Sequence, residues 1–386
     1  MIRPTQKTPP TSKSGESCLY IGLMSGTSVD AIDCALVNCS ESATELLATH
    51  QHSIPSETQG RIADISSSGT NEIERMGPLD RELGRLFAEA TQALLRKAEE
   101  NPNRVRAIGS HGQTVRHRPP SQGSAADSFT LQLGDPNTIA EITGITTVAD
   151  FRRRDLAAGG EGAPLAPAFH AAALASVNHN RAIVNIGGIS NVSLLEGETL
   201  IAGFDCGPGN TLLDHWIQRH RGQAFDRGGQ WSASADADQP LLTGLLKHPY
   251  FKLKGPRSTG KEAFNLQWLD DVLKAHVSLP HAVVQATLAE LTALTIAKGI
   301  RTTSLEVSEV YVCGGGVHNH DLMSRLNGHI TPLVARSTAE LGLAPDWVEA
   351  VTFAWLAHRT VQGLHGNAPA VTGASGPRVL GAIYNA

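Results

Sequence analysis

Short apolar runs along the chain alternate with longer stretches that carry apolar residues on one face. The short runs at residues 19–24, 32–37 and 181–186, and those that open 105–114, 200–210 and 309–319, predict buried β-strands. The longer stretches predict helices over residues 78–100, 137–143, 211–220, 282–300, 321–328 and 346–364. Because strands and helices alternate, the pattern predicts an α/β fold.

The pattern restarts halfway along the chain. Residues 19–36 and 182–195 both consist of an apolar strand, a turn of Gly, Ser, Thr or Asn residues, and a second apolar strand. A weak repeat at domain scale predicts two similar domains, each beginning with a glycine-rich β-hairpin. We therefore expect a ligand site clamped between the two domains.

Composition narrows the class of protein. A chain of 386 residues exceeds one core of ordinary size, since domains average about 150 residues. With 41% hydrophobic and 18% charged residues, a net charge of −5 and no basic run, we expect a soluble protein that does not bind nucleic acid. We found no apolar run that predicts a membrane span, and we expect a cytoplasmic protein with a disordered lead-in over residues 1–16. The five cysteines form no Cys-x-x-Cys pair, which favours a reducing compartment without a zinc or disulfide framework.

The turn of the first hairpin combines hydroxyls, a glycine and two carboxylates. Gly26, Thr27 and Ser28 expose backbone N–H groups that can cradle an anion. Asp30 and Asp33 would repel a bare phosphate, but they suit a site in which Mg²⁺ lies between carboxylate and phosphate. The turn is therefore read as a nucleotide–metal turn, with an ordinary polar turn as the equal alternative.

Two further glycine clusters could contact the same ligand. Gly187, Gly188, Ser190 and Asn191 in the second hairpin could form a facing phosphate clamp, or a plain type I′-like turn. The cluster at residues 314–316 could let the backbone pack flat against a base or ribose. The segment 255–262, GPRSTGKE, lacks the Ser or Thr that a P-loop needs after Lys, so we interpret it as a loop.

Three charged positions could carry chemistry. Asp205 ends an apolar strand before Gly-Pro-Gly, where it could act as a general base or cap the turn. The run at residues 152–154 is three arginines that suit a carboxylate or phosphate, although we expect at least one to be solvated. Glu349 could face the site, or form a capping box with Asp346.

Together these residues resemble one family closely, the anhydro-N-acetylmuramic acid kinases of the sugar kinase/Hsp70/actin superfamily. The resemblance runs from about Tyr20 to the C-terminus. It rests on the ordered motifs GLMSGTSVDAID, GSHGQTVRH, DFRRRD, GGEGAPLAPAFH, NIGGISNVSLL, GFDCGPGN, STGKEAFN, QATLAELTA, CGGGVHN and TGASGPRVLGAIY. The departures are small: Val29, Ala31 and Glu161 stand where the family usually has Leu, Gly and often Gln.

The resemblance implies two ribonuclease-H-like (actin-like ATPase) domains around a central cleft, with residues 17–150 plus 374–386 in the first and 151–373 in the second. It implies ATP and Mg²⁺ as cofactors, a cell-wall amino sugar as the small-molecule substrate, and no membrane partner; a homodimer is compatible with it. The implied catalytic base is Asp205, the implied sugar contacts are Glu349, Arg152 and His111, and the implied Mg²⁺ carboxylates are Asp30 and Asp33. The expected nucleotide contacts are Gly26, Thr27, Ser28, Val29, Asp30, Ala31, Ile32, Asp33, Gly187, Gly188, Asn191, Gly314, Gly315 and Gly316.

The implied reaction converts 1,6-anhydro-N-acetylmuramic acid, ATP and water into N-acetylmuramic acid 6-phosphate and ADP. O6 of such a substrate has no proton to lose, so the base should act on water, as in an inverting glycosidase. Two alternatives stay open. One is an ordinary sugar kinase that deprotonates a free 6-hydroxyl, and the other is an actin- or chaperone-like ATPase whose nucleotide drives partner binding.

Overall fold

The computed structural model describes residues 18–26, 28–40, 43–123, 125–253, 258–259, 263–276 and 278–386. The predicted lead-in over residues 1–16, the turn residue Thr27 and most of the predicted loop 255–262 lie outside the described residues. The strands are β1 (Cys18–Ser25), β2 (Ala31–Cys39), β3 (Thr44–Ser53), β4 (Val105–Arg118), β5 (Phe129–Leu133), β6 (Thr147–Ala149), β7 (Arg181–Ile186), β8 (Ile189–Glu196), β9 (Thr199–Pro208), β10 (Glu309–Cys313), β11 (Ala335–Ser337) and β12 (Ala382–Tyr384).

All six predicted helices are present with shifted ends, and the described residues form six further helices that the sequence did not predict. The helices are α1 (Ser56–Ser66), α2 (Glu72–Ala98), α3 (Pro136–Thr143), α4 (Arg153–Leu156), α5 (Ala166–Leu174), α6 (Thr211–Arg221), α7 (Gln239–Leu245), α8 (Leu266–Leu273), α9 (His281–Ile300), α10 (His320–Ile330), α11 (Val348–Val361) and α12 (Pro369–Thr372). The predicted start of α2 at residue 78 is wrong, because the helix begins at Glu72 and continues through Pro78. Gly144 follows α3 in the left-handed conformation, and the helix ends at Thr143, where the sequence predicts its end.

The strands form two sheets that share one five-strand order, and the first sheet also contains β5 and β12. In the first sheet β1, β2 and β3 are an antiparallel meander, β4 lies parallel to β1 on its other side, and β6 follows β4. In the second sheet β7, β8 and β9 form the meander, and β10 and β11 follow in parallel beside β7. This shared order is the ribonuclease-H-like arrangement and confirms the predicted restart of the chain.

Helix α11 lies between the two sheets. It packs directly on the backbone of β1 and β4, because a Cβ at Gly22 or Gly109 would overlap the carbonyl oxygens of Ala350 and Phe353. The same apolar core contains Ile183 and other side chains of the second sheet. Helix α11 therefore joins the two halves of the molecule, and the domain boundaries given above stay a prediction.

The length and composition of helix α9 would allow it to cross a membrane. The expectation that no apolar run is long enough for a membrane span is therefore wrong. The helix is mostly buried, and it packs against β8, β9 and α10. Its apolar composition is explained by contacts on nearly every face, which a core helix needs as much as a membrane helix does.

Candidate active site

The first hairpin turn presents Asp30 at the carboxyl end of β1. Val29 adopts a left-handed conformation with φ 61°, which is uncommon for a β-branched residue, and its N–H donates to the Gly26 carbonyl over 3.3 Å. The Ser28 hydroxyl hydrogen-bonds Asp30 Oδ1. The tight turn therefore holds an exposed carboxylate in place, while Ala31 and Ile32 are buried and offer a ligand only their backbone.

Asp33 is the second acid of this hairpin. It lies on β2, where Gln51 Nε2 donates to its Oδ1 over 3.0 Å. Burial raises the pKa of Asp33 to about 6, and the charges of Asp30 and Asp346 act in the same direction. The carboxylate thus lies in a negative field that a cation would relieve.

Asp214 is a half-buried acid on the first turn of α6 that was not predicted from the sequence as a site residue. Burial raises the pKa of Asp214 to about 7, with further contributions from Asp30 and Asp226. Asp30 and Asp214 therefore interact although they belong to different halves of the chain. The helical pattern indicates only that Asp214 is one of several polar positions. The sequence therefore could not predict that Asp214 interacts with Asp30.

The second hairpin turn supports α6. The carbonyl of Gly188 accepts the N–H groups of Gly209 and Thr211 over 2.9 and 3.1 Å, and Gly187 accepts that of Asn210 over 2.8 Å. These bonds fix the start of α6 relative to the turn. Asn191 is not at the turn but on β8, directly opposite Asp205 on β9.

The three glycines that follow β10 lie in different local surroundings. Gly314 adopts φ 80°, and a Cβ at Gly314 or Gly316 would overlap atoms of β7, so close packing alone requires both residues. Gly315 is exposed, with only Asn210 within 4.0 Å of a built Cβ. Of the three, Gly315 is the one with an open face toward a ligand.

Asp205 is buried and firmly oriented. Its Oδ2 accepts the Thr259 N–H over 2.8 Å and the Ser258 hydroxyl over 3.1 Å, and its backbone carbonyl accepts the Tyr250 hydroxyl over 2.7 Å. Both carboxylate partners come from the segment interpreted as a plain loop. Because they lie more than fifty positions along the chain, no local pattern could have linked them to Asp205.

Arg152 is the one arginine of its run that points inward. Its Nη1 donates to the Gly162 carbonyl over 2.8 Å, and Nε and Nη2 lie 3.1 and 2.9 Å from Nε2 of His111. Burial lowers the pKa of Arg152 to about 10, against the opposing charges of Glu349, Asp205 and Asp155. The exposed Arg153 and Arg154 match the expectation that part of the run is solvated.

Glu349 faces the same region from the first turn of α11. The alternative of a capping box is wrong, since Trp347 is the N-cap and Asp346 instead bonds His318 over 2.8 Å. Burial raises the pKa of Glu349, with Asp33 adding to the effect, while Arg152 and a hydrogen bond from Asn185 oppose it. Asn185, a buried residue of β7, was also missed in the sequence.

The site thus combines two carboxylates, Asp205 and Glu349, with the guanidinium of Arg152, whose charge interacts with both. A second acidic group, Asp30, Asp33 and Asp214, lies toward the hairpin turn, and the charge of Asp33 also acts on Glu349. Among the residues that the structure describes, no group of three or more His, Cys, Asp or Glu side chains is arranged to hold a metal ion. A Mg²⁺ bound largely by phosphate and water needs only one or two protein carboxylates, which these acids can supply.

Comparison with known proteins identifies the sequence family. Residues 18–386 match the family model described as anhydro-N-acetylmuramic acid kinase. The chain is 50% identical over 368 residues to the enzyme of that name from Shewanella halifaxensis (strain HAW-EB4), covering 95% of this chain and 98% of the relative. It is 49% identical over 366 residues to the one from Pseudomonas fluorescens (strain Pf0-1), covering 95% and 99%.

Solved structures give only distant likenesses. Component A of the Acidaminococcus fermentans (R)-2-hydroxyglutaryl-CoA dehydratase is 11% identical with a TM-score of 0.48, covering 88% of this chain and 96% of that one. A ROK family glucokinase from Streptomyces griseus, in complex with glucose and AMPPNP, is 15% identical with a TM-score of 0.39, covering 88% and 99%. The family assignment rests on the sequence matches.

Proposed function

The chain belongs to the anhydro-N-acetylmuramic acid kinase family, and we propose that it uses ATP and water to convert 1,6-anhydro-N-acetylmuramic acid into N-acetylmuramic acid 6-phosphate and ADP. The match over nearly the whole chain at about 50% identity carries this proposal. The protein would act in cytoplasmic recycling of cell-wall sugar, with ATP and the amino sugar as its small-molecule partners.

The two hairpins are proposed to hold the phosphates of ATP. Residues 26–33 supply the turn of the first domain, and Gly187, Gly188 and Gly315 supply facing backbone from the second. Asp30 and Asp33 are the proposed Mg²⁺ carboxylates, and Asp214 interacts with Asp30. A bound Mg²⁺ would neutralise charge that develops on the phosphoryl oxygens. The raised pKa values of Asp33 and Asp214 support this choice, because within the described part of the chain neither acid forms an ion pair with a cation.

Asp205 is the proposed general base. Water attacks the anomeric carbon, Asp205 takes one of its protons, and the bond from that carbon to O6 breaks. The electron pair left on O6 attacks the γ-phosphorus, and ADP departs. Because Ser258 and Thr259 fix the carboxylate, it needs little reorganisation before it accepts the proton.

Arg152, His111 and Glu349 are proposed to bind the sugar. The lactyl carboxylate of the substrate needs a cation, and the guanidinium of Arg152 is the inward-facing one of its run. His111 donates from Nδ1 to the Gly112 carbonyl over 2.8 Å and accepts from Arg152 at Nε2, so it orients Arg152 as a neutral ring. Burial and Arg152 hold the pKa of His111 well below its ordinary range, which keeps the ring neutral.

Two domains are proposed to close over these ligands. The first would comprise residues 17–150 and 374–386 and the second residues 151–373, joined by crossings near residues 149–152 and 372–376. Closure would limit water at the site to the one attacking molecule and so prevent wasteful hydrolysis of ATP.

A substrate comparison tests the proposal. The purified protein is given ATP and Mg²⁺ with the anhydro sugar, with N-acetylmuramic acid, or with no sugar, and products are identified by mass spectrometry. We expect N-acetylmuramic acid 6-phosphate and ADP in equal amounts from the anhydro sugar alone. Phosphorylation of the free sugar with the anhydro sugar untouched would indicate an ordinary sugar kinase, and steady ADP release without sugar would indicate an ATPase.

A further inference from the structure

One face of the second sheet carries a row of polar side chains at the carboxyl ends of β7 and β10. The backbone pairing sets Cys313 opposite Asn185, Asn185 opposite Asn191, and Asn191 opposite Asp205. Directly paired residues point to the same face of a sheet, with Cβ atoms about 4.5–5.5 Å apart in antiparallel pairs. The row therefore connects Glu349, which meets Asn185, with Asp205 at the other end.

The side chains of Asn185 and Asn191 differ in how fully their polar atoms are hydrogen-bonded. Asn185 Oδ1 lies 3.8 Å from the Cys313 thiol, and the Asn185 amide also bonds Glu349. Asn191 Oδ1 is buried and makes no hydrogen bond to any residue that the structure describes. An unpaired buried carbonyl is costly, so this acceptor calls for a donor from a ligand.

A β-bulge places that acceptor beside Asp205. Ser190 pairs with Gly207 while Asn191 pairs with Asp205, so Cys206 is an extra residue on β9. The Cys206 side chain packs into the opposite apolar core, next to Gly299. Bulges commonly re-aim a side chain near an active site, and this one turns Asp205 to the same face as Asn191.

We propose that Asn191 Oδ1 accepts a hydrogen bond from the attacking water and is therefore a catalytic residue; this inference rests on the proposed function. Water has two hydrogens. One passes as a proton to Asp205 as the oxygen bonds the anomeric carbon, and the other, held by Asn191, stays on the new 1-hydroxyl. The bond to O6 breaks and O6 takes the phosphoryl group, so atoms and charges balance. Two acceptors together fix the direction of the oxygen lone pair toward the sugar.

An acceptor suits water better than the phosphate contact expected from the sequence. A carbonyl oxygen repels phosphate oxygens, and Asn191 lies on β8 beyond the turn. The nearest candidate for its donor is the group on which Asp205 acts. A sugar hydroxyl would also offer a donor, and the experiment below separates it from water.

Methanol competition tests the proposal, because methanol has a single O–H hydrogen and cannot satisfy both acceptors. Attack by methanol would give the methyl glycoside of N-acetylmuramic acid 6-phosphate, which mass spectrometry separates from the hydrolysis product. Asn191→Leu removes the acceptor at nearly constant size, and Asn191→Asp keeps an acceptor. Ser193→Ala, on the same strand and face, serves as the matched control.

We expect the wild type, Ser193→Ala and Asn191→Asp to select water strongly. Asn191→Leu should lower kcat by roughly 10–100-fold, as loss of one hydrogen bond to a reacting group implies, and should raise the share of methyl glycoside. If the far-UV circular dichroism of Asn191→Leu shows that this variant has not folded, Asn191→Ala is measured in its place with the same expectation.

Three results would overturn the proposal. Unchanged kcat and product ratio would show that Asn191 does not touch the water. A raised sugar KM with an unchanged ratio would assign it to a sugar hydroxyl, and weaker ATP binding alone would restore the phosphate role. If the wild type makes no product from the anhydro sugar, the proposed function itself has failed, which the wild-type reaction reveals before any variant is compared.

Discussion

Arg152 points two donors at a single acceptor, since its Nε and Nη2 lie 3.1 and 2.9 Å from Nε2 of His111. His111 accepts there because its other nitrogen is engaged with the Gly112 carbonyl. The guanidinium is thereby held in one orientation, which is the condition for recognising a planar carboxylate.

Replacing Arg152 by Lys should damage sugar binding selectively. A lysine keeps the charge but loses the fork, and charge-assisted hydrogen bonds contribute roughly 1.5–3 kcal/mol, so the sugar KM should rise at least about tenfold. Steady-state kinetics gives the sugar KM, and calorimetry should show nearly unchanged ATP affinity. Arg153→Lys, at an exposed neighbouring position, is the control and should leave the sugar KM unchanged. An unchanged sugar KM in Arg152→Lys would leave Arg152 with a structural role only.

Asp205→Asn should nearly abolish turnover and preserve ATP binding. The substitution keeps shape but removes basicity, and general bases typically contribute ~10²–10⁴-fold to kcat. Ser258→Ala should cost much less, because the Thr259 N–H still orients the carboxylate. Rapid-quench measurement of product formation checks both variants. Near-normal kcat in Asp205→Asn would return Asp205 to the role of a turn residue.

Mg²⁺ should stabilise the protein more at high pH than at low pH. The pKa values of Asp33 and Asp214 are raised to about 6 and about 7 from an ordinary 3.8. The folded state therefore holds these protons more tightly than the unfolded chain. The free energy of unfolding falls as pH rises from the ordinary value of 3.8 to the raised values of about 6 and about 7, and it levels off above them. A cation offsets the new charges, so the rise in Tm on adding Mg²⁺ and an ATP analogue should be larger at about pH 8 than at about pH 5.

Paired variants sharpen that measurement. Asp30→Asn should weaken Mg·ATP binding far more than sugar binding, and Asp214→Asn should flatten the pH dependence of the Mg²⁺ effect. Differential scanning fluorimetry across pH follows both. A Tm gain that is independent of pH in the wild type would separate these acids from the metal.

Ligand binding should make the protein more compact. The two predicted crossings are tied at one point, where Asp155 Oδ1 accepts from Thr372 and Asn367 over 2.9 Å each. We expect the chain to hinge beside this fixed point rather than through it. Small-angle scattering should give a smaller radius of gyration with a non-hydrolysable ATP analogue plus sugar than with either ligand alone. An identical radius in all three samples would leave water exclusion to local loops.

The sequence predicts the strands and turns that surround the site better than it predicts the contacts between side chains within the site. The hairpins β1–β2 and β7–β8 were predictable because continuous apolar strands flank a turn of small polar residues. The pairing of Asn191 with Asp205 was not predictable. One extra residue, Cys206, shifts the register of the two strands, and no local sequence pattern predicts such a bulge.

Contacts between residues that lie far apart in the chain could not be predicted from the sequence either. Ser258 and Thr259 reach Asp205 through tertiary packing, and Asp214 meets Asp30 only when the two halves of the chain approach each other. Glu349 had two interpretations of equal merit, and the position of Trp347 at the helix start decided between them.

In the proposed reaction Asp205 activates water, not a sugar hydroxyl. The direct measurement is mass spectrometry of early product formed in ¹⁸O-water from the anhydro sugar and ATP, with unlabelled product incubated in ¹⁸O-water to correct for exchange at the anomeric carbon. Attack by water predicts one ¹⁸O atom at the anomeric oxygen and none in the phosphate ester. Product without label at that oxygen would contradict it.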